Sequence, residues 1–375
     1  MEKESYCPFE ICPAVCAAGE NYVICVPAPV PVLMSVFVGG EEFTNDFCGV
    51  KISSCSVQKF TVPIALLDRE KSYVVAYEII YRRAYFSKKE PPVKREFSFT
   101  PINNNEDIRI YHLSDVHGKK DAAIIAALYF GTPPDLLILN GDISSSSQTE
   151  RETLLPLEIA LAVTKGERPF VITRGNHDLR GLLAERIGDF YPLDHGLFYY
   201  TVRLGPVWML VLDCGEDKDD DHAEYAGTIA FHKYRTKETV FIKSLTQIER
   251  PEYNDPSVKY KIIVSHIPFM HTDFDPETGL HKFDIEQDTY KEWVDLINTF
   301  IRPDFGLFGH VHRTGVFHGP GKYNEKGFSA PLIFGGKPLE NDVTGCAITL
   351  KQSAADIVFN GKERIPESER EILFE

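Results

Sequence analysis

Between residues 22 and 100 the apolar positions fall in short runs rich in Val, Ile, Tyr and Phe, at 30–40, 50–66, 72–86 and 94–100. Turn signals (GG, ND, DRE) separate them, and none holds a helical period for long. Such runs predict β-strands. The first hundred residues therefore read as an all-β sandwich of immunoglobulin or fibronectin type. The polar stretch 99–107, FTPINNNED, reads as a linker. It divides the chain into an N-terminal domain, 1–103, and a second domain, 104–375.

From residue 108 the pattern changes to strands alternating with helices. Strands are expected at 107–113, 134–140, 169–173, 205–212, 259–265, 305–308, 330–336 and 345–350. Helices are expected at 119–131, 149–167, 179–191, 237–250 and 288–301. This alternation predicts sheets covered by helices, an α/β (α+β) class.

Composition narrows the function. Hydrophobic residues make up 43% and charged residues 25%, ordinary values for a globular chain. No apolar run approaches the ~20 residues that a spanning helix needs. The longest, at 22–38, is broken by Pro27, Pro29 and Pro31. The acidic start MEKESYCPFE is unlike a signal peptide, so the expected location is cytoplasmic. The net charge of −15 comes without a basic stripe, which argues against a long nucleic acid as substrate. The short basic run 88–95 reads as a hairpin loop. Six of the eight cysteines precede residue 56. Cys7, Cys12 and Cys16 lack the paired C-x-x-C spacing of a zinc knuckle and read as reduced thiols.

Five short blocks each end a strand-like run: LSDVHG (113–118), NGDI (140–143), RGNHD (174–178), SHIP (265–268) and GHVH (309–312). They offer Asp115, His117, Asp142, Asn176, His266, His310 and His312. Carboxylate, amide and imidazole together suit divalent Mn, Fe or Zn. A glycine stands before Asp142, Asn176 and His310, which suits tight turns that bring ligands to one point. A lone D-x-H or G-D says little, and a single strand-end histidine is more often an ordinary surface or core residue. Five such blocks in order, each at a strand end, point to a metal site.

In order and chemistry these blocks resemble those of the calcineurin-like metallophosphoesterases, over about residues 108–350. The resemblance implies a four-layer αββα sandwich of two mixed sheets flanked by helices. The N-terminal β-region is similar to the domain that precedes the catalytic part of purple acid phosphatases. It also implies two divalent ions. Asp115, His117, Asp142 and His312 would hold the first; Asp142 (bridging), Asn176, His266 and His310 would hold the second. A metal-bridging hydroxide would attack phosphorus, and His177 would protonate the leaving oxygen. Arg174 resembles an arginine that binds phosphate oxygens in some members; the alternative is a surface arginine. The acidic segment 212–227 is similar to a loop in relatives, which makes His222 and Tyr225 candidate substrate contacts. Read from composition alone it is a solvated acidic loop.

The chain departs from two branches of the family. His117 stands where purple acid phosphatases have glycine, and Ser145 where they have a tyrosine ligand. GDISSSSQ lacks the further Asp and Arg of protein Ser/Thr phosphatases. The expected function is thus metal-dependent hydrolysis of a small phosphate ester, as a phosphodiesterase or phosphatase. The alternatives are a nucleotide pyrophosphohydrolase or nuclease on the same scaffold, and, more remotely, a non-enzymatic interaction module.

Overall fold

The computed structural model describes residues 11–103, 107–272, 274–275, 280–281 and 285–374. Cys7 lies outside them. The seven described cysteines are all free thiols.

Two mixed sheets face each other. In the first, strands run in the order Pro366–Leu373, Ala354–Asn360, Val343–Leu350, Ile108–Leu113, Leu136–Asn140 and Pro169–Thr173. In the second the order is Tyr200–Leu204, Val207–Leu212, Tyr260–Ser265, Phe305–Phe308 and Leu332–Pro338. A hairpin joins them where Lys337 and Pro338 pair with Thr344 and Val343.

The layering follows from the two-residue period of strands. Ile110, Ile138 and Val171 point inward and meet Met209, Val211, Ile262, Val264 and Leu307 of the opposite sheet. The alternate residues Tyr111, Leu113, Leu137, Leu139, Phe170 and Ile172 point outward, under the helices Lys120–Ala127 and Leu155–Thr164. On the far side Trp208, Leu210, Leu212 and Ile263 pack under Phe231–Thr246 and Gln287–Leu296. Both faces of every central strand are covered, which is why these strands read as near-continuous apolar runs. The expected four-layer αββα sandwich is the observed architecture.

The N-terminal strands also form two layers. Val93–Ser98, Ser72–Arg82, Val32–Val38 and Glu41–Thr44 make a separate antiparallel sheet. The other layer, Ala14–Ala18, Asn21–Pro27 and Val57–Pro63, continues the first of the two facing sheets, because Val15 and Cys16 run parallel to Pro169 and Phe170. The apolar core is continuous across this seam, from Tyr22, Ile24 and Phe60 to Ile110 and Val171. The composition changes near residue 103, yet hydrogen bonding and core run across that position.

Several segments differ from the sequence expectation: the helix expected at 149–167 is split at Leu154, and the strands Arg313–Phe317, Ala354–Asn360 and Pro366–Leu373 are not among those expected. Residues 179–191 form no α-helix: Leu179 ends the 3-10 turn His177–Leu179, and a second 3-10 turn spans Ala184–Asp189. Gly181, at φ +121°, and Gly188 interrupt any longer helix. The end of the run 50–66 enters a short helix, Ile64–Glu70, that opens after Pro63 and buries Leu67.

Because Ala14–Ala18 covers the edge of Pro169–Thr173, removing the N-terminal region would expose a strand edge and an apolar seam together. A fragment of residues 104–375 is therefore expected to be insoluble, or to lose cooperative unfolding in a thermal melt followed by circular dichroism. A soluble fragment with a sharp transition would show that the seam is dispensable.

Candidate metal centre

All five ligand blocks emerge at the C-terminal ends of central strands, the usual place for sites in α/β sheets. Ile108–Leu113, Leu136–Asn140 and Pro169–Thr173 deliver Asp115, Asp142 and Asn176 from one sheet. Tyr260–Ser265 and Phe305–Phe308 deliver His266, His310 and His312 from the other. The loops hold one another. The Asp115 and His117 amides donate to the carbonyls of Gly141 and Asp142, and the Gly309 amide to that of His266.

Five of the seven candidate ligands, Asp115, His117, Asp142, His310 and His312, have φ between +46° and +69°. Non-glycine residues seldom adopt this left-handed region, and strain of this kind concentrates at functional sites. The turns also need their glycines. A Cβ at Gly175 would lie 2.2 Å from Asp142 Oδ1, and one at Gly141 2.5 Å from the Gly175 nitrogen.

The side chains converge in three overlapping groups: Asp115, His117 and His312; His117, Asp142 and His177; and Asp142, His266 and His310. Within each group the ligand atoms lie within 4.8 Å of one another. The donor set fits divalent cations. His266 is fully buried, and its Nδ1 lies 2.7 Å from the Asn140 carbonyl, which leaves Nε2 as the inward-facing atom. That Nε2 has no aligned hydrogen-bond partner, although Asp142 Oδ2 is 3.2 Å away. A metal-ligating histidine commonly has this arrangement, one nitrogen anchored on a carbonyl and the other aimed at the ion.

Asn176 places one end of its carboxamide 3.1 Å from His310 Nδ1 and 3.3 Å from Asp142 Oδ2, and the other end 3.1 Å from Arg180 Nη2. With nitrogen inward it donates to the first two and its oxygen accepts from Arg180. With oxygen inward it adds a third lone pair to theirs, an arrangement that a cation satisfies.

Electrostatics favours the same occupant. Burial pushes the Asp115 carboxyl up to about 7, with the neighbouring Asp142 adding to the shift. Burial would lower His266, but Asp142 and Asp115 outweigh it and push it up to about 10. The cluster thus draws positive charge to the space between these groups. Burial lowers His117 and His310 to about 4, so both are neutral imidazoles near pH 7, with lone pairs ready for a metal.

His177 joins the cluster. Its ring lies 4.9 Å from that of His117, its backbone amide donates to Asp142 Oδ1, and its Nδ1 is 3.1 Å from the Ser145 carbonyl. Arg174 does not join it. Its guanidinium donates to the buried carboxylate of Asp213 and lies 4.4 Å from the Phe198 ring centre. His222 is exposed near Glu224, and the Tyr225 hydroxyl donates to Glu216; neither reaches the ligand atoms. The acidic loop approaches the centre through Asp217 instead, 3.7 Å from His310 Nε2.

Sequence reasoning missed Asp178, whose buried Oδ2 accepts from the amides of Asp142 and Gly175 and locks two ligand turns together. The signal was its place in the RGNHD block. It also missed Asn140, whose side-chain amide reaches the carbonyls of Ser265 and Leu307 in the opposite sheet. Nothing local marks that role.

Residues 108–314 match the family model described as calcineurin-like phosphoesterase. The chain belongs to this family and is a phosphoric ester hydrolase with candidate metal-binding clusters. No curated protein sequence matches it. Among solved structures it is similar to the purple acid phosphatase PPD1 from yellow lupin (Lupinus luteus) seeds. The identity is 11%, the match covers 97% of this chain and 74% of that one, and the TM-score is 0.60. It is also similar to a structure of PhoD, at 13% identity over 96% of this chain and 87% of that one, with a TM-score of 0.52. At these identities the likeness establishes the fold. Among the described residues, no helix is long and apolar enough to cross a membrane.

Arg174 has a structural role available in its buried pair with Asp213. Removing one partner of such a pair typically costs about 3–5 kcal/mol. Arg174→Ala is therefore expected to lower the melting temperature and leave KM for a phosphate ester unchanged. A raised KM with unchanged stability would restore the phosphate-binding role.

Proposed function

We propose that the protein hydrolyses a small phosphate ester at a centre for two divalent ions, Mn, Fe or Zn. The supporting observation is the overlap of the three side-chain groups. Asp115, His117 and His312 make one pole, and Asp142, His266 and His310 the other. Asp142 also groups with His117, which supports assigning it as the bridging carboxylate. Asn176 completes the second pole. Two such ions, when bound, activate water at neutral pH and stabilise the charge that develops on the phosphoryl oxygens.

The chain's own residues supply the rest. Asp178 and the glycine turns hold Asp142 in place, so its two oxygens can face both poles. His177 stands beside the first pole, and its Nδ1 against the Ser145 carbonyl leaves Nε2 free to carry a proton. We assign it the delivery of that proton to the departing oxygen. No covalent enzyme intermediate is required, since a metal-activated water can itself serve as the nucleophile. The complete set of ligands favours an enzyme over a module that has kept only the fold.

Two measurements test this reading. Asp142→Ala is expected to lose both ions together, read by elemental analysis of the reloaded protein; an unchanged metal content would overturn the bridging assignment. His177→Ala should keep its metals and lose turnover most for esters with poor leaving groups. Equal losses for p-nitrophenyl and alkyl esters would contradict the acid role.

A further inference from the structure

Two cavities flank the cluster. One, of about 550 Å³, begins at Gly118 and Ser145, next to His117 and His177. The other, of about 340 Å³, opens at His310 and Asp217, at the opposite pole. If phosphorus sits between the poles and its leaving group departs toward His177, the second cavity lies where a leaving group does not go. A monoester has no organic group to place there.

The second cavity has a built wall. Tyr323 is buried, and its ring centre lies 4.8 Å from that of Phe317 and 5.3 Å from those of Phe334 and His271. His271 Nδ1 is 2.6 Å from the Lys322 carbonyl, which ties the loop carrying Tyr323 to the end of the SHIP loop. Pro268 and Val311 add apolar surface. Arg313 lies on the lining, on a backbone fixed by pairing with Gly336, directly after the ligand pair His310 and His312. Arg313 and Lys322 are both exposed at this lining, and the Lys322 ammonium lies 5.9 Å from the Tyr323 ring centre. The site thus offers a flat aromatic wall and two cations, in a volume near the low end for small-molecule pockets, ~300–1,000 Å³.

We infer that the physiological substrate is a phosphodiester whose retained arm, a planar or aromatic group ending in an anion, sits in this cavity against Tyr323 with its charge on Arg313 and Lys322. This rests on the hydrolytic reading above. It goes further by assigning diester over monoester and by naming the chemistry of the arm that is not released. An anionic group held by a guanidinium gains a paired, charge-assisted contact.

The test uses the Mn-loaded protein and three diesters that share p-nitrophenolate as leaving group, with methyl, phenyl or 4-carboxyphenyl as the retained arm. The expected order of kcat/KM is methyl below phenyl below 4-carboxyphenyl, with about ten-fold between the last two, a usual size for one charged contact. Arg313→Ala is expected to bring the 4-carboxyphenyl to phenyl ratio close to one, and Tyr323→Ala the phenyl to methyl ratio. Equal kcat/KM for all three arms would overturn the inference and leave hydrolysis intact. Binding of (4-carboxyphenyl)methylphosphinate, whose two P–C bonds leave no ester to hydrolyse, is measured by calorimetry alongside. Binding that Arg313→Ala weakens, without turnover of any ester, would keep the cavity assignment and overturn the hydrolytic reading. Absence of both arm preference and binding would overturn the inference.

Discussion

Two carboxylates, Asp115 and Asp142, are withdrawn almost completely from water at the meeting point of the two sheets. Burying one charge without compensation is costly, and burying two side by side more so. The surroundings can be understood as the answer to that constraint. Backbone amides of His177 and His310 point at the two carboxylates, His266 faces both, and Asp178 braces the turn that holds Asp142. These donors compensate the pair only in part. The four imidazoles therefore complete a cage whose net demand is for cations, and the four-layer fold supplies the rigidity that keeps it open.

Rigidity here depends on the joint between the sheets. Each sheet could slide against the other on an apolar face that is not directional. Asn140 supplies direction. It stands at the end of a strand of the first sheet, its amide reaches Ser265 and Leu307 in the second, and its carbonyl orients His266. The same residue fixes sheet spacing and ligand tautomer. The strain stored in five left-handed candidate ligands is tolerable because such ties, together with burial, over-determine their positions.

The sandwich layers and the convergence of the candidate ligands were legible in the chain because they rest on local signals. Buried strands give apolar runs, and the ligand turns carry Gly, Asp, Asn and His in short blocks. What was not legible depends on long-range partners. The parallel pairing of Val15 with Pro169 joins strands about one hundred and fifty residues apart, and no turn signal announces it. Arg174 sits next to the Gly-Asn-His block, and the family resemblance suggested the phosphate, with a surface arginine as the alternative; in the fold its side chain pairs with Asp213. The second cavity is built from the SHIP loop, the segment after His312 and the Tyr323 loop, which come together only in the folded chain.

The acidic loop shows how composition can mislead about a site's potential. Its carboxylates look, in sequence, like a barrier to anions. In the fold Glu216 accepts from Arg180 and from the Tyr225 hydroxyl, while Lys218 spans Asp217 and Glu224. Much of the loop's charge is thus met from within the loop or by Arg180, three residues beyond His177. Asp217 is the carboxylate that turns toward the cluster, beside His310, and there it adds to the cation demand of the second pole. Arg313 and Lys322 line the same cavity, so carboxylate and basic side chains share its wall. The proposed substrate, with one phosphoryl centre and a second negative charge at a distance, has a counterpart for each charge there.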